Sequence, residues 1–200
     1  QLIRTSRQAA RTMLKSAGLL NLAREARDAA SGFAWLRTNS PVWLHGAGDG
    51  LPIPPLRLVR SSTGTSSLPW LIHGGTLAAD SIAGILSKNG IGIRDLAAIL
   101  VFGCGCGRVI RHWAGLKAAV HGCDYNQRSI RWCRRRLTFA RFEANELSPP
   151  LPYRDGQFDL VYALSVFTHL PEPLMFAWMR EMAPIETWRR WWGGGQIFHQ

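Results

Sequence analysis

No run of this sequence is long and apolar enough to cross a bilayer. The longest uninterrupted apolar stretch is 96-LAAILVF-102, far short of the roughly 20 residues a transmembrane helix needs, so no such helix is expected. Acidic residues are scarce, 13 Asp and Glu against 24 Lys and Arg, which leaves a formal net charge of +11 and a pI near 10.7. That excess gives an RNA, a membrane surface or another anionic partner a physical basis through counterion release. The cations are dispersed, however, over the first residues (Arg4, Arg7, Arg11, Lys15), the run Arg128 to Arg136 and the pair Arg189 and Arg190. Solvated faces are the favoured reading of each group, ahead of nucleic acid. No Cys-x-x-Cys pair occurs among Cys104, Cys106, Cys123 and Cys133, and no signal-peptide segment precedes them. Four such cysteines in 200 residues exclude a disulfide scaffold, make zinc a poor reading and leave a reducing cytoplasm as the expected setting. The chain opens on Gln1 rather than Met, which reads as a fragment.

Apolar content is ample. At 46% hydrophobic, 200 residues suffice for one ordinary domain and its core. Residues 1–30 show helix-compatible apolar spacing with basic residues between, and 31–68 turn to Pro, Gly and Ser, as in 61-SSTGTSS-67, which reads as irregular linker. In 76–91, Leu77, Ile82, Ile85 and Leu86 predict a helix with Thr76 as N-cap and Gly90 past its end. Strands and helices then alternate: strands over 99–102, 118–122, 138–142 and 158–163, helices over 108–116, 127–136 and 171–183. This alternation predicts an α/β fold, a Rossmann-like, doubly wound, mainly parallel sheet with helices on both faces and a helical extension before it. The expected division is an extension over 1–67, a core over 68–184 and a tail over 185–200.

The segment 99-ILVFGCGCGRVIRHW-113 places Gly103, Gly105 and Gly107 directly after the first strand. Glycines there admit a ligand to the backbone and take conformations closed to other residues, and a following helix would aim its amides at the same spot. A phosphate cradle, a nucleotide pocket, a Cys-x-Cys clip and a sharp turn all fit that pattern taken alone. Asp124 lies 21 residues after Gly103, in 120-VHGCDYN-126. That is the spacing at which a carboxylate closing the second strand accepts hydrogen bonds from a ribose diol, while an Asp there also caps the next helix. A nicotinamide site expects G-x-G-x-x-G, and Arg108 stands where its last glycine belongs.

With 142-FEANELSPPLPYRDGQFDLVYALSVFTHL-170 and EPLMFAWMREM after it, the run from about Leu68 to Ala183 resembles the class I S-adenosylmethionine-dependent methyltransferases. The resemblance implies S-adenosyl-L-methionine as cofactor and methyl transfer to an acceptor that the sequence leaves unidentified. By that resemblance Gly103, Cys104 and Gly105, in the loop with Gly107, line the methionine end of the cofactor. Asp124 holds the ribose, Tyr125 flanks the adenine, Ala144, Asn145 and Glu146 form the adenine-facing turn, and Ser165 ends the fourth strand beside the sulfonium. His169 is the candidate proton acceptor, although a shape or capping role is favoured for it. Transfer itself asks chiefly for alignment of the nucleophile with the methyl group.

Two departures bear on activity. The family usually carries an acid at the position of Val101, which cannot accept hydrogen bonds from the cofactor's amino-acid portion. After Ala183 the pattern of a fifth strand and closing hairpin stops, and 183-APIETWRRWWGGGQIFHQ-200 reads as the product of truncation or a frame change, with an open edge on the fourth strand. The expectation is therefore an impaired methyltransferase; the alternative is a non-catalytic basic remnant that binds RNA or an acidic partner.

Overall fold

Ala98–Phe102 has no polar side chain, and all but its first residue are buried, as the middle strand of a parallel sheet requires. In the computed structural model, which describes residues 33–187, this strand is β1, flanked by β2 (Ala119–Asp124) and β4 (Leu160–Ala163), with β3 (Arg141–Ala144) outside β2. The order is β3-β2-β1-β4 and every pairing is parallel. Strand order therefore reverses between β1 and β4, where a crevice opens at the carboxyl ends.

The pleat sends alternate residues to two cores. Ile99, Val101, Val120 and Phe142 pack with Ile110 and with Ile130 and Cys133 of helix α4 (Gln127–Arg136). On the opposite face Leu100, Phe102 and Cys123 meet Phe158 and the helix α5 (Glu172–Ile185), whose Trp178 ring lies 4.7 Å from that of Phe102. Helices thus cover both faces of the sheet. The Asp159 carboxylate fastens β4 to the start of β1 by accepting the amides of Ala97 and Ala98 at 2.6 and 3.0 Å.

The chain divides into two compact units between His45 and Gly46. A helix, α1, spans 33–45 in the first. The second contains α2 (Leu56–Thr63) and α3 (Leu68–Lys88) ahead of the sheet. Over its described residues, 33–68, the segment 31–68 is therefore not the irregular linker its composition predicts. α2 is fixed by two buried residues, Leu58 and Val59, and by Gly64, which ends it in the left-handed conformation (φ +71°). α3 begins eight residues before its predicted start: Ser67, not Thr76, is the N-cap, its hydroxyl accepting the Trp70 amide at 3.2 Å. Thr76 lies inside the helix and returns its hydroxyl to the Ile72 carbonyl. Gly90 does follow the helix, at φ +74°.

The predicted helix over 108–116 is only a 3-10 turn, Ile110–Trp113. Gly103, Gly105 and Gly107 all have positive φ, so the chain cannot enter a right-handed helix until beyond them, and β2 begins at Ala119. No strand beyond β4 occurs among the described residues. Phe158 instead bridges in parallel to Glu186; the amides of Phe158 and Thr187 donate to Ile185 and Phe158 carbonyls at 3.0 and 2.7 Å. The Glu186 carboxylate accepts the Val161 amide at 3.1 Å. The expectations for helices in 1–30 and for the tail after Thr187 lie outside the described residues.

Candidate functional site

The glycine loop is stitched to the end of β2. The amides of Gly103 and Cys104 both donate to the Cys123 carbonyl, at 2.8 and 3.0 Å, and the Gly105 amide donates to Asp124 Oδ2 at 2.8 Å. Asp124 Oδ1 accepts the Asn126 amide at 2.8 Å, and Asn126 caps α4 through the amides of Arg128 and Ser129. Asp124 thus holds loop and helix start together while each of its oxygens keeps acceptor capacity. Burial pushes its carboxyl above the ordinary range, and the Asn126 and Gly105 amides offset part of that rise.

Above this junction lies a cavity of about 790 Å³. Of the residues named from sequence, Gly103, Cys104, Gly105, Asp124, Tyr125, Asn145, Glu146, Ser165 and His169 line it. Gly107 and Ala144 do not. A side chain at Gly107 would meet Leu137 at 2.5 Å, so its place, at φ +88°, is a packing position under the loop. Ala144 closes β3 opposite Asp124 and leaves the turn's cavity contacts to the two residues after it. Cys104 reaches the cavity but its thiol packs toward Gly122 in the core, and burial drives the thiol pKa far up. All four cysteines are free and buried.

Tyr125 is 64% exposed beside Asp124, leaving a ring face open. Asn145 donates to the Glu146 carbonyl at 2.7 Å, while its Oδ1 is buried without a partner. His169 is exposed, and its amide donates to the Val166 carbonyl at 3.1 Å as the last residue of the 3-10 turn Phe167–His169. Ser165 takes φ +57°, the one non-glycine residue at positive φ among those described.

Sequence reasoning missed part of the wall. The Ser62 hydroxyl on α2 accepts the Cys106 amide at 3.1 Å, and Arg108 lines the cavity with its guanidinium bonded to the Gly74 carbonyl at 3.0 Å. Tyr162 accepts the Trp113 indole at 2.9 Å, and burial raises its hydroxyl well above the usual range. Trp178 closes the floor and donates to the Leu147 carbonyl at 3.2 Å. The one advance signal was Arg108 itself, a cation set where glycine was possible. Because only a 3-10 turn follows the loop, the anticipated amides of a long helix are replaced by loop amides, and those of Gly105 and Cys106 are already bonded to Asp124 and Ser62.

Residues 99–185 match the family model of a methyltransferase domain. That span holds the glycine loop, β2 to β4 and α5. Among solved structures, the chain is similar to CalS10 of Micromonospora echinaspora, an amino pentose methyltransferase solved with S-adenosylmethionine bound. The two share 20% identity over 69% of this chain and 54% of that one, at a TM-score of 0.50. Magnesium protoporphyrin IX methyltransferase of Synechocystis PCC 6803 shares 21% identity over 66% of this chain and 65% of its own, at a TM-score of 0.49. The chain thus spans about half the length of CalS10. Among the described residues of this methyltransferase domain, no three His, Cys, Asp or Glu side chains gather as a metal site, and no helix is long and apolar enough to cross a membrane.

Proposed function

We propose that this chain binds S-adenosyl-L-methionine in the cavity at the β1/β4 crevice and transfers its methyl group to an acceptor entering over the end of β4. The observation that carries this reading is the acceptor capacity left open on the β2 and β3 side. Asp124 has remaining acceptor capacity suited to a ribose diol, and the partnerless Asn145 Oδ1 suits an amine donor such as that of adenine. Tyr125 offers the open face for stacking a base. When bound, this cofactor supplies a methyl group on a sulfonium that is already electrophilic. The chain's task is then to hold the nucleophile in line, and alignment of that kind is worth roughly 7–11 kcal/mol of barrier. Ser165 and His169 border the acceptor side, where the imidazole can receive a proton from a nucleophile that loses one. The alternative of a basic binding module rests on arginines such as Arg128, Arg131, Arg135 and Arg136, which are exposed on α4 and do not line the cavity.

Calorimetric titration with S-adenosylhomocysteine tests the reading. Asp124→Ala should weaken binding by at least about tenfold, since a hydrogen bond to a charged acceptor is lost. Asn126→Ala should cost about 1 kcal/mol of stability as a lost cap and leave affinity nearly unchanged. Equal effects on affinity would remove the ribose assignment. Acidification supplies a second check. Binding to the ionised carboxylate weakens as pH falls through the raised Asp124 pKa, so the loss should begin at higher pH than for an ordinary aspartate and be absent in Asp124→Asn.

A further inference from the structure

The charges lining the cavity are sorted by side. Its carboxylates, Asp124 and Glu146, stand at the ends of β2 and β3. The β1 wall offers Val101, buried and apolar, paired in register with Tyr162 of β4. Beside Tyr162 sits Arg108, half-buried, its electrostatic neighbours Cys106 and Tyr162. Neither ion pair among the described residues involves it. Burial pulls its pKa down, as expected for a cation that lacks a counter-charge. One of the five guanidinium donors goes to the Gly74 carbonyl at 3.0 Å, which fixes the head group against α3 and leaves donors for the cavity. Arg60 also lines the cavity but is exposed at the end of α2, where water already solvates it.

A planar, pre-positioned guanidinium without an acid partner fits a carboxylate through two parallel hydrogen bonds. On the reading given under Proposed function, the ligand's diol lies on Asp124, so its other end, an amino acid, reaches the β1/β4 side. We propose that Arg108 binds the carboxylate of the cofactor's amino-acid end, so that this methyltransferase grips that end by its negative rather than its positive group. Val101 is consistent with such a grip, because the wall offers the ammonium no acid.

The test pairs two ligands with three proteins, read by calorimetry and by thermal shift. S-adenosylhomocysteine carries both carboxylate and amine; the adenosyl aminopropyl thioether keeps the amine and lacks the carboxylate. The unaltered chain should prefer the first by about tenfold or more. Arg108→Leu should weaken the first by about ten- to a hundredfold and leave the second within about twofold, erasing the preference. Arg108→Gln, which keeps a donor for Gly74, should do the same, and it carries the test if the leucine variant does not fold. Equal weakening of both ligands in the glutamine variant, or no preference in the unaltered chain, overturns the assignment while the cofactor reading stands. Failure of the unaltered chain to bind either ligand overturns both.

Discussion

Asp49→Ala should destabilise the 46–187 region by about 3 kcal/mol, the lower end of the range for orphaning a buried charge. Arg111, in the 3-10 turn behind the glycine loop, has a side chain only 1% exposed, and Asp49 is its one acidic partner among the described residues. The contact is a fork: Nε donates to Oδ2 and Nη2 to Oδ1, with further donation to the Leu51 carbonyl at 3.3 Å. Asp49 itself is 26% exposed, so water can take up part of the loss, which sets the expectation at the lower bound. Replacing both partners by apolar residues should recover much of the stability, because the cost lies in the unpaired guanidinium. Burial raises the Asp49 carboxyl, but its bonds with Arg111 and the Leu51 amide outweigh that and hold it below the ordinary range. A depressed folded-state pKa gives stabilisation that is complete above the unfolded value, about 3.9 for aspartate, and is lost as pH falls through the folded one. Urea unfolding at neutral and acid pH measures both effects. A loss under about 1 kcal/mol at neutral pH would mean that the pair behaves as a solvated surface contact.

Gly75→Ala should also destabilise, against its helix propensity. In an unobstructed helix the change would gain roughly 1 kcal/mol. Gly75 faces the glycine loop, and an added Cβ would stand 2.3 Å from the Arg108 carbonyl oxygen and 2.8 Å from His112 Nε2. A backbone carbonyl in a loop bonded to β2 and Asp124 has little room to yield, so α3 must move. Overpacking of this kind costs typically 1–3 kcal/mol, and the upper part of that range is expected here. The same displacement carries the Gly74 carbonyl away from Arg108, so affinity for S-adenosylhomocysteine should fall as well. Gly84 in the same helix is the control: a Cβ added there would meet nothing within 4 Å, and Gly84→Ala should stabilise by up to about 1 kcal/mol. Comparable melting temperatures for the two variants would show that the α3 contact is soft.

The sheet was legible in the sequence wherever a buried strand ended on an unusual residue. β1 and its glycines, Asp124 at the end of β2, and α4 over 127–136 follow from local pattern because each couples an apolar period to a turn or cap. Positions set by distant partners were not legible. α2 buries only Leu58 and Val59, too few to register against its serines and threonines, and it is fixed by what it packs on. The predicted helix began at Thr76, after Gly74 and Gly75, whereas α3 includes both glycines where it approaches the loop, so its first two turns were missed. β3 lies about three residues later than predicted, since Phe142 alone of its residues is buried and one apolar side chain cannot fix a register. In the site, backbone-facing residues such as Gly105 and Asp124 were found by spacing. Ser62 lay in an apparent linker and Arg108 stood only as a departure from a glycine pattern, and only the fold brings them to the cavity.

An all-parallel sheet has a temporal consequence. None of its pairings is a hairpin, so no strand can find its neighbour by local search. β1, the middle strand, pairs on one side with β4, and the Asp159 carboxylate that fastens this pair reaches an amide 62 positions earlier. Closing so long a loop before its contacts repay the entropy makes folding slow, in milliseconds to seconds rather than microseconds. During synthesis β1 and β2 leave the ribosome well before β4, and the apolar flank of β1 waits unpaired until the last of the four strands arrives. The crevice along that seam is therefore complete only once β4 has docked.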